Sequence, residues 1–349
     1  MEAYEDGCDH RSSSYLELPV SAGKVEYFPI SLGIMQPGTL SPTDLFVCNG
    51  SYGYTLYRAA HTEFHERTRR RLLERGVETL FLRKSDENAY RSYIEENIDA
   101  IVRDDLLPEE ETSRIVYDSS AKVMQDVLEN PRSGKNIRRA ERVVRATVLS
   151  IMKNPDALWQ MTGMASHDYY TYTHCVNVSM FLVAASQALL GIDGQKELEE
   201  IGTGGMLHDI GKSGVPGEIL NKPGKLTDEE FERIKEHPQI GVELVADSRR
   251  LRPASRAVIR HHHESYDGSG YPDGLTAEGI GRVARLAKVV DVYDALTTDR
   301  SYASARKPYA ALKLMQGPLK TEFDGKLLRR FVRFLGPDGF VLEESKMEA

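Results

Sequence analysis

Histidine and aspartate residues cluster in short strings between His174 and Asp291, and this clustering constrains the fold more than any other feature of the chain. Seven of the ten histidines lie between His167 and His263. The strings are Thr173-His174, His208-Asp209, Glu236-His237-Pro238, His261-His262-His263-Glu264 and Asp291 within VVDVYDALT. None has the spacing of a local zinc motif such as HExxH. Any site built from them must therefore be assembled from separate elements of the fold.

Helical periodicity predicts that acids and imidazoles on two segments face the interior. The segment from Thr171 to Leu190 carries an apolar stripe, and His174 lies on it. In the segment from Arg282 to Leu296, Asp291 and Asp294 each follow an apolar residue by one turn. Both segments therefore turn potential ligands toward a helical core.

His237 is also predicted to point inward, at the end of a separate helix. Thr227 and Glu230 form the pattern of a capping box, which marks the start of this helix. Pro238 ends or kinks it. The predicted buried face consists of Phe231, Ile234 and His237.

Buried imidazoles and carboxylates need partners, because an uncompensated polar or charged group in the interior costs at least about 2 kcal/mol. One solution is a web of hydrogen bonds between histidines and aspartates. The other is metal ions, for which neutral imidazole and carboxylate are suitable ligands. Five inward histidines with two aspartates, spread over separate helices, favour metal.

The pattern along the chain predicts an α+β N-terminal module followed by an all-α domain. Segments rich in aromatic and β-branched residues alternate with Gly, Pro, Asn and Ser, and they predict strands near residues 15–19, 27–31, 44–48 and 54–58. Two helices and an intervening strand are predicted at 62–75, 86–102 and 79–82. Beyond residue 154 nearly all of the sequence has a helical pattern.

The changes of pattern give four predicted regions. Residues 1–14 are polar and aperiodic, as in a disordered tail, and residues 15–105 form a small α+β regulatory or dimerisation domain. Helices predicted at 109–129 and 135–153 make residues 106–160 a helical linker. Residues 161–349 form the all-α domain.

Composition and charge exclude several classes of function. The net charge of −8 argues against a DNA- or RNA-binding surface, and acids are interspersed in the arginine-rich run at 66–75. No stretch approaches the roughly 20 apolar residues that span a bilayer, and the first residues lack the pattern of a signal peptide. The three cysteines lack CxxC spacing, so neither a disulfide framework nor a thiolate zinc site is expected. A cytoplasmic protein without membrane insertion is expected.

The second half of the chain resembles the HD-GYP domain, a branch of the HD metal-dependent phosphohydrolases. The resemblance covers about residues 165–336 in one order and rests on four strings: HDIGK at 208–212, VPGEILNKPGKLTDEEFERIKEHPQIG at 215–241, HHESYDGSGYP at 262–272 and DVYDALTTDRSY at 291–302. It implies an all-α HD-GYP fold for residues 161–349. It also implies hydrolysis of cyclic di-GMP to linear pGpG, and in some members onward to GMP.

The resemblance implies a set of metal ligands, which are His174, His208, Asp209, His237, His262, His263 and Asp291. Seven ligands exceed the four to six that one ion takes, and they suit two ions that share the carboxylate of Asp209. The implied ions are iron or manganese, which would supply a bridging hydroxide from bound water. Some members hold a third ion through a glutamate one turn before the first histidine. Tyr170 occupies that position here, so two ions are expected.

The resemblance also implies residues that contact the substrate, which are Lys212, Tyr271, Asp294 and Arg300. Lys212 is expected to contact a phosphate oxygen and to stabilise developing negative charge, as Asp209 and Lys212 together form the catalytic pair. Tyr271 either packs on neighbouring helices or stacks on a guanine. Arg300 is expected at a phosphate or a guanine edge. The chain departs from the family in the string SYASA at 301–305, where members usually have a basic residue.

Two alternative functions stay open from the sequence. One is an effector that binds the dinucleotide with little turnover, and the other is a phosphodiesterase that prefers cyclic GMP-AMP. The N-terminal module carries no motif for a ligand, so sensing, scaffolding and homodimer formation are all open. His261 is expected to be an outward neighbour of the paired histidines, and His10, His61, His65 and His167 are not assigned.

Overall fold

The structure is a computed structural model of the 349-residue chain and describes residues 25–49, 53–164, 171–222, 224–246, 251–298 and 305–336. The chain divides into two compact units, Met1–Pro108 and Glu109–Ala349. Strands occur only in the first unit among these residues, and the second unit is helical. The predicted fold class, a small α+β module followed by an all-α domain, is confirmed.

The first unit contains a four-stranded antiparallel sheet and a two-stranded ribbon. The strands are β1 (Tyr27–Ser31), β2 (Thr39–Leu40), β3 (Leu45–Cys48), β4 (Tyr54–Arg58), β5 (Glu63–Phe64) and β6 (Thr79–Arg83). The order in the sheet is β1-β6-β3-β4, and β2 pairs with β5. Side chains alternate across the sheet, and Ile30, Leu80 and Leu82 are buried on one face.

Two helices complete this unit, α1 (Glu66–Leu73) and α2 (Glu87–Arg103). The helix predicted at 62–75 begins later than expected, because the first residues of that segment form β5. Phe64 is fully buried there, and its carbonyl oxygen accepts a hydrogen bond from Gly38 N. Tertiary pairing thus overrides helical pattern at this point. The strand predicted near residues 15–19 lies outside the described residues.

The second unit consists of twelve helices in the described part of the chain. They are α3 (Glu109–Glu129), α4 (Gly134–Lys153), α5 (Ala157–Met164), α6 (Thr171–Leu190), α7 (Gln195–Leu207), α8 (Gly217–Leu220), α9 (Asp228–Lys235), α10 (His237–Leu244), α11 (Pro253–His261), α12 (Arg282–Thr297), α13 (Pro308–Gln316) and α14 (Gly325–Phe334). A 3-10 turn, Ile210–Gly214, follows α7. Local capping fixes several starts: Thr227 and Glu230 form the predicted capping box of α9, and Asp324 caps α14.

Helix α6 is the centre of the second unit. It contacts α3, α7, α12 and α14, and most of its side chains are buried. Its length and mean hydropathy of 1.3 are those of a membrane-spanning helix, but 83% of that stretch is buried inside the unit. This burial is typical of the core helix of a soluble protein.

The helices predicted at 109–129 and 135–153 are present as α3 and α4. They pack on each other, and α3 packs on α6 while α4 packs on α7. Both helices therefore belong to the second unit, whose first residue is Glu109.

Candidate metal centre

The seven predicted ligands come from five separate parts of the helical unit. His174 lies in the first turn of α6, and Asp291 lies on α12. The pair His208-Asp209 directly follows α7, His237 is the first residue of α10, and His262-His263 directly follows α11. Six of the seven belong to two groups of potential metal ligands, and the groups share Asp209: one adds His174 and His208, the other His237, His262 and His263.

His237 is inward-facing as predicted, but the expected buried face of its helix is wrong. Phe231 is 46% exposed. The helical segment breaks between Lys235 and His237, so α9 ends and α10 begins with Pro238 in its first turn. The helical periodicity of α9 therefore does not extend to His237. This residue is the first of α10, and the position of α10 directs it inward.

The backbone fixes the orientation of three imidazoles. The Nδ1 of His208 lies 2.7 Å from Gly205 O, that of His237 lies 2.8 Å from Ile234 O, and that of His262 lies 3.0 Å from Ile259 O. A carbonyl oxygen can only accept, so Nδ1 carries the proton in each ring. Each Nε2 therefore presents a lone pair to the centre of the site.

Acceptor atoms meet on one side of Asp209. The Nε2 atoms of His237 and His262 are 3.2 Å apart. They lie 3.3 and 3.9 Å from Asp209 Oδ1. Two lone pairs and a carboxylate oxygen cannot hydrogen-bond one another, so this arrangement favours binding of a cation.

A second group of atoms faces the other oxygen of Asp209. The Nε2 atoms of His208 and His174 lie 3.4 and 3.8 Å from Asp209 Oδ2. Asp291 Oδ1 is 3.1 Å from His174 Nε2, and Asp291 Oδ2 is 3.8 Å from Nδ1 of His263. Asp209 thus turns one oxygen to each group, and Asp291 joins the two groups at the opposite side.

The protonation states are those that metal binding requires. Burial lowers the pKa of His237 to about 4, and it holds the pKa values of His262 and His263 well below the usual range. Burial acts to raise the pKa of Asp209, but the charge of Lys212 and the neighbouring imidazoles outweigh it, so the pKa is well below the usual range. Neutral imidazoles and ionised carboxylates are the metal-ligating forms.

Some buried atoms in the site make no hydrogen bond with the described residues. They include Nε2 of His208 and Oδ1 of Asp209, whose residues are each 1% exposed. Burying such atoms is costly unless a partner satisfies them. The chemistry of the donor set and these two atoms fit a divalent metal ion, and the clustered residues can hold one.

A model of the HD domain family matches residues 138–327, more than half of the chain. The chain belongs to the HD domain family. The seven clustered residues all lie within the matched range. The resemblance to HD-GYP proteins seen in the sequence is also confirmed, by the similar curated proteins and the solved structure described next.

Similar curated proteins are named as cyclic dinucleotide phosphodiesterases. A cyclic di-GMP phosphodiesterase of Pseudomonas aeruginosa is 41% identical over 187 residues, which are 54% of this chain and 44% of that protein. The cyclic di-GMP phosphodiesterase response regulator RpfG of Xanthomonas campestris is 41% identical over 140 residues, 40% of this chain and 37% of that protein. A 3'3'-cGAMP-specific phosphodiesterase of Vibrio cholerae is 40% identical over 109 residues, 31% of this chain and 21% of that protein. The HD domain protein thus spans less than half the length of these relatives.

One solved structure shows the same fold over most of the chain. It is Bd1817, an HDG"Y"P protein from Bdellovibrio bacteriovorus, with a TM-score of 0.60 and 22% sequence identity. The match covers 87% of this chain and 97% of that chain. The helical HD fold is therefore confirmed.

Asp294 lies behind the centre of the HD domain rather than at its surface. Its Oδ2 lies 2.6 Å from Nδ1 of His174, and its Oδ1 accepts a hydrogen bond of 3.0 Å from Asn177 Nδ2. Asp294 is 3% exposed. Both oxygens are thus used within the protein, and contact of this residue with substrate stays a prediction. Asn177 was not found from the sequence, although its position three residues after His174 places both on one helix face.

The glycine-rich loop that contains Tyr271 is held by Glu264. This carboxylate is 1% exposed and accepts hydrogen bonds from the backbone of Asp273 at 2.7 Å and Leu275 at 2.9 Å. Gly270 lies so close to the Glu264 backbone that a Cβ atom would overlap it. This role of Glu264 was not predicted from the sequence, and only its position next to the paired histidines could have suggested one.

Tyr271 packs on a ligand of the centre. Its ring stacks on that of His263 with centroids 4.7 Å apart. The predicted contact of Tyr271 with a guanine stays a prediction. His261 points away from the centre, as expected, and its Nε2 lies 3.0 Å from Asp273 Oδ2.

Lys212 lies beside Asp209, with Nζ 2.5 Å from Asp209 Oδ2 and 21% of its side chain exposed. It reaches Asp209 within the local 3-10 turn, where Lys212 N donates to Asp209 O at 2.9 Å, and this turn packs against α10. Gly211 permits this approach, since a Cβ atom there would overlap the carbonyl oxygen of His237. Arg300 and Tyr170 lie outside the described residues.

Proposed function

We propose that the second unit hydrolyses a cyclic dinucleotide, with cyclic di-GMP as the first candidate, to linear pGpG, which a second cleavage would convert to GMP. The observation that carries the proposal is the set of imidazole and carboxylate atoms that converge on Asp209 with no proton to share between them. The relatives named as cyclic di-GMP phosphodiesterases match the part of the chain that contains this set.

Two divalent ions are proposed at this site. One would be held by His174, His208 and Asp291, the other by His237, His262 and His263, with Asp209 between them. The two oxygens of Asp209 face these two groups separately, which supports a bridging role. Imidazole and carboxylate donors without thiolate suit iron or manganese. When bound, such a pair acidifies water and neutralises charge on the reacting phosphodiester.

The remaining roles fall to residues around the centre. Lys212 is partly exposed and lies next to Asp209, so it is placed to contact a phosphate oxygen and stabilise negative charge. Tyr271 supports His263 through ring stacking. Asp294 is proposed to orient His174 rather than to bind substrate. Arg300 is retained from the sequence as a contact to phosphate or guanine.

The state of the cysteines bears on the cellular location. In the part of the chain that the structure describes, Cys48 and Cys175 are free thiols, which suits a reducing compartment, and a cytoplasmic location is proposed. The first unit is proposed to regulate the second or to form a homodimer.

Cyclic GMP-AMP is the second candidate substrate. It is favoured by the 40% identity to a 3'3'-cGAMP-specific phosphodiesterase. The two substrates differ in one base, so they share the phosphodiester chemistry and differ only at the contacts to that base.

Turnover by the purified full chain tests the proposal. Cyclic di-GMP and cyclic GMP-AMP are supplied separately with Mn(II) or with Fe(II) under anaerobic conditions, and products are separated by chromatography. Linear dinucleotide is expected, and replacing Asp209→Ala should remove turnover and lower metal affinity by more than about 100-fold, the upper range for loss of a hydrogen-bond partner of a ligand. Helical content should stay unchanged in this variant.

Two results would contradict the proposal. Binding of cyclic di-GMP without product at any metal would support an effector, and full activity of the Asp209→Ala variant would exclude the proposed centre. A higher kcat/KM for cyclic GMP-AMP would assign the second substrate.

A further inference from the structure

A chain of buried hydrogen bonds connects α3 to His174. The hydroxyl of Tyr117 donates to Asn177 Oδ1 at 3.5 Å, Asn177 Nδ2 donates to Asp294 Oδ1 at 3.0 Å, and Asp294 Oδ2 lies 2.6 Å from Nδ1 of His174. The three supporting residues come from α3, α6 and α12, and each is at most 5% exposed. This series of hydrogen bonds therefore crosses the core of the unit and ends at a proposed metal ligand.

The chemistry of these groups determines which one donates and which one accepts in each hydrogen bond of the series. The carboxylate of Asp294 can only accept, so Asn177 must turn its amide nitrogen toward it. The amide oxygen of Asn177 then points at Tyr117 and needs a donor. Burial, and after it the charge of Asp294, raises the pKa of Tyr117, so the hydroxyl keeps its proton. Each member of the chain thus fixes the orientation of the next.

The orientation of His174 depends on the end of this chain. With Nδ1 directed at Asp294, Nε2 is the nitrogen turned toward Asp209 and Asp291. A carboxylate partner at the far nitrogen fixes the ring and raises the basicity of the ligating nitrogen. Asn177 and Tyr117 in turn satisfy and fix the carboxylate of Asp294.

We propose that Tyr117 is a positioning residue for the metal centre and acts through Asn177 and Asp294 on His174. The inference rests on the proposed function, because it assumes that His174 binds metal. It extends the site to α3, which lies before residue 138, where the match to the HD domain begins. A helix predicted from sequence as part of a linker thereby contributes to the centre.

A matched pair of variants separates positioning from packing. Tyr117→Phe removes only the hydroxyl and keeps the ring. Tyr293→Phe is the control: Tyr293 is 7% exposed, and its ring contacts Phe181 and Phe331. Its hydroxyl makes no hydrogen bond to the part of the protein that the structure describes.

Affinity for Mn(II) is measured by calorimetric titration of the metal-free full-length protein. Tyr117→Phe is expected to weaken binding about threefold to tenfold, Asn177→Ala about 10- to 100-fold, and Tyr293→Phe less than about twofold. In the variant that combines Tyr117→Phe with Asn177→Ala, affinity should equal that of Asn177→Ala alone, because both substitutions break one chain. A residue that only fills space would give additive effects.

Several outcomes would overturn the inference. They are unchanged affinity in Tyr117→Phe, equal losses in both tyrosine variants, or additivity in the combined variant. Should Tyr117→Phe fail to fold by circular dichroism, unchanged affinity in Asn177→Ala overturns it instead. If the parent protein binds no Mn(II), both the inference and the proposed centre fail. If it binds Mn(II) with the expected order of variants but cleaves no dinucleotide, only the proposed function fails.

Discussion

At the scale of single residues, the centre is defined by imidazole nitrogens that can accept but not donate a hydrogen bond. His208, His237 and His262 each use Nδ1 on a backbone carbonyl within their own turn, so their other nitrogens are acceptors. The shared partner, Asp209, is an acceptor as well. Apart from the ion pair with Lys212, these acceptor atoms lack a donor among themselves, and a bound cation would offset the cost of burying them together.

The lowered pKa of His237 predicts how stability depends on pH. Burial lowers the pKa of His237 to about 4, whereas a histidine in the unfolded chain titrates near 6.5. Between these values the unfolded chain binds more protons, so the free energy of unfolding falls as pH is lowered through this window. The contribution of His237 alone should therefore lower the Tm of the metal-free protein by roughly 5 °C between pH 6.5 and pH 5.

The measurement is thermal unfolding of metal-free protein across this pH range. His237→Gln should make the dependence less steep, because it removes one of the three histidines whose pKa burial lowers. His65→Gln replaces a half-exposed histidine of the first unit and should leave it unchanged. Equal slopes in the parent protein and in His237→Gln would argue against the buried neutral state.

At the scale of elements, the centre is assembled where helices end. The pairs at 208–209 and 262–263 directly follow α7 and α11, and His237 begins α10. Helix ends allow a side chain to turn inward while its own backbone makes a tight bend. The cost is that neighbouring backbones must approach closely, and Gly211 is the residue that permits this between the 3-10 turn and α10.

Gly211→Ala should therefore disrupt the centre through the backbone. The added methyl group would overlap the carbonyl oxygen of His237, and neither backbone segment can yield without moving a ligand. A loss of more than about 3 kcal/mol in the free energy of unfolding is expected, together with weaker Mn(II) binding. Urea denaturation and metal titration measure the two effects.

Gly217→Ala is the control for this substitution. The closest atom to the added methyl group would be Asn221 Nδ2 at 3.8 Å, an ordinary contact. Stability within about 0.5 kcal/mol of the parent is expected. If Gly211→Ala were equally mild, close backbone packing would not be what positions Lys212 and His237.

At the scale of the whole molecule, the helical unit is larger than the region that matches the HD domain family. The unit begins at Glu109, whereas the match begins at residue 138 inside α4. Helix α3 buries Val116, Val123, Met124 and Val127 against this unit. Helix α3, the first helix of this unit, is thus part of the hydrophobic core of the unit.

Two fragments test this boundary. Residues 109–349 should fold and bind Mn(II) like the full chain, because the unit forms a compact body of its own. Residues 134–349 lack α3 and expose the apolar surfaces of α4 and α6 that it covers, so they should unfold at a lower urea concentration and bind Mn(II) more weakly. Equal stability of the two fragments would place the domain boundary after α3.

The sequence by itself determined the composition of the centre and the types of most elements. Local signals suffice for these: the bounds of α3, the capping box at Thr227 and the apolar stripe around His174 depend only on neighbours along the chain. The family resemblance rests on strings of the same local kind.

Only the tertiary structure decided how these parts meet. Phe231 is exposed because a break at Glu236 separates two helices, and Glu63–Phe64 forms a strand because Thr39–Leu40 pairs with it. The use of Asp294 for His174, and of Tyr117 for Asn177, depends on contacts across 120 and 60 positions of the chain. Periodicity reports which face of a helix is buried, but it carries no information about which other element covers that face. The physical reason is that the partners of a buried polar group are chosen by packing in space, not by spacing in sequence.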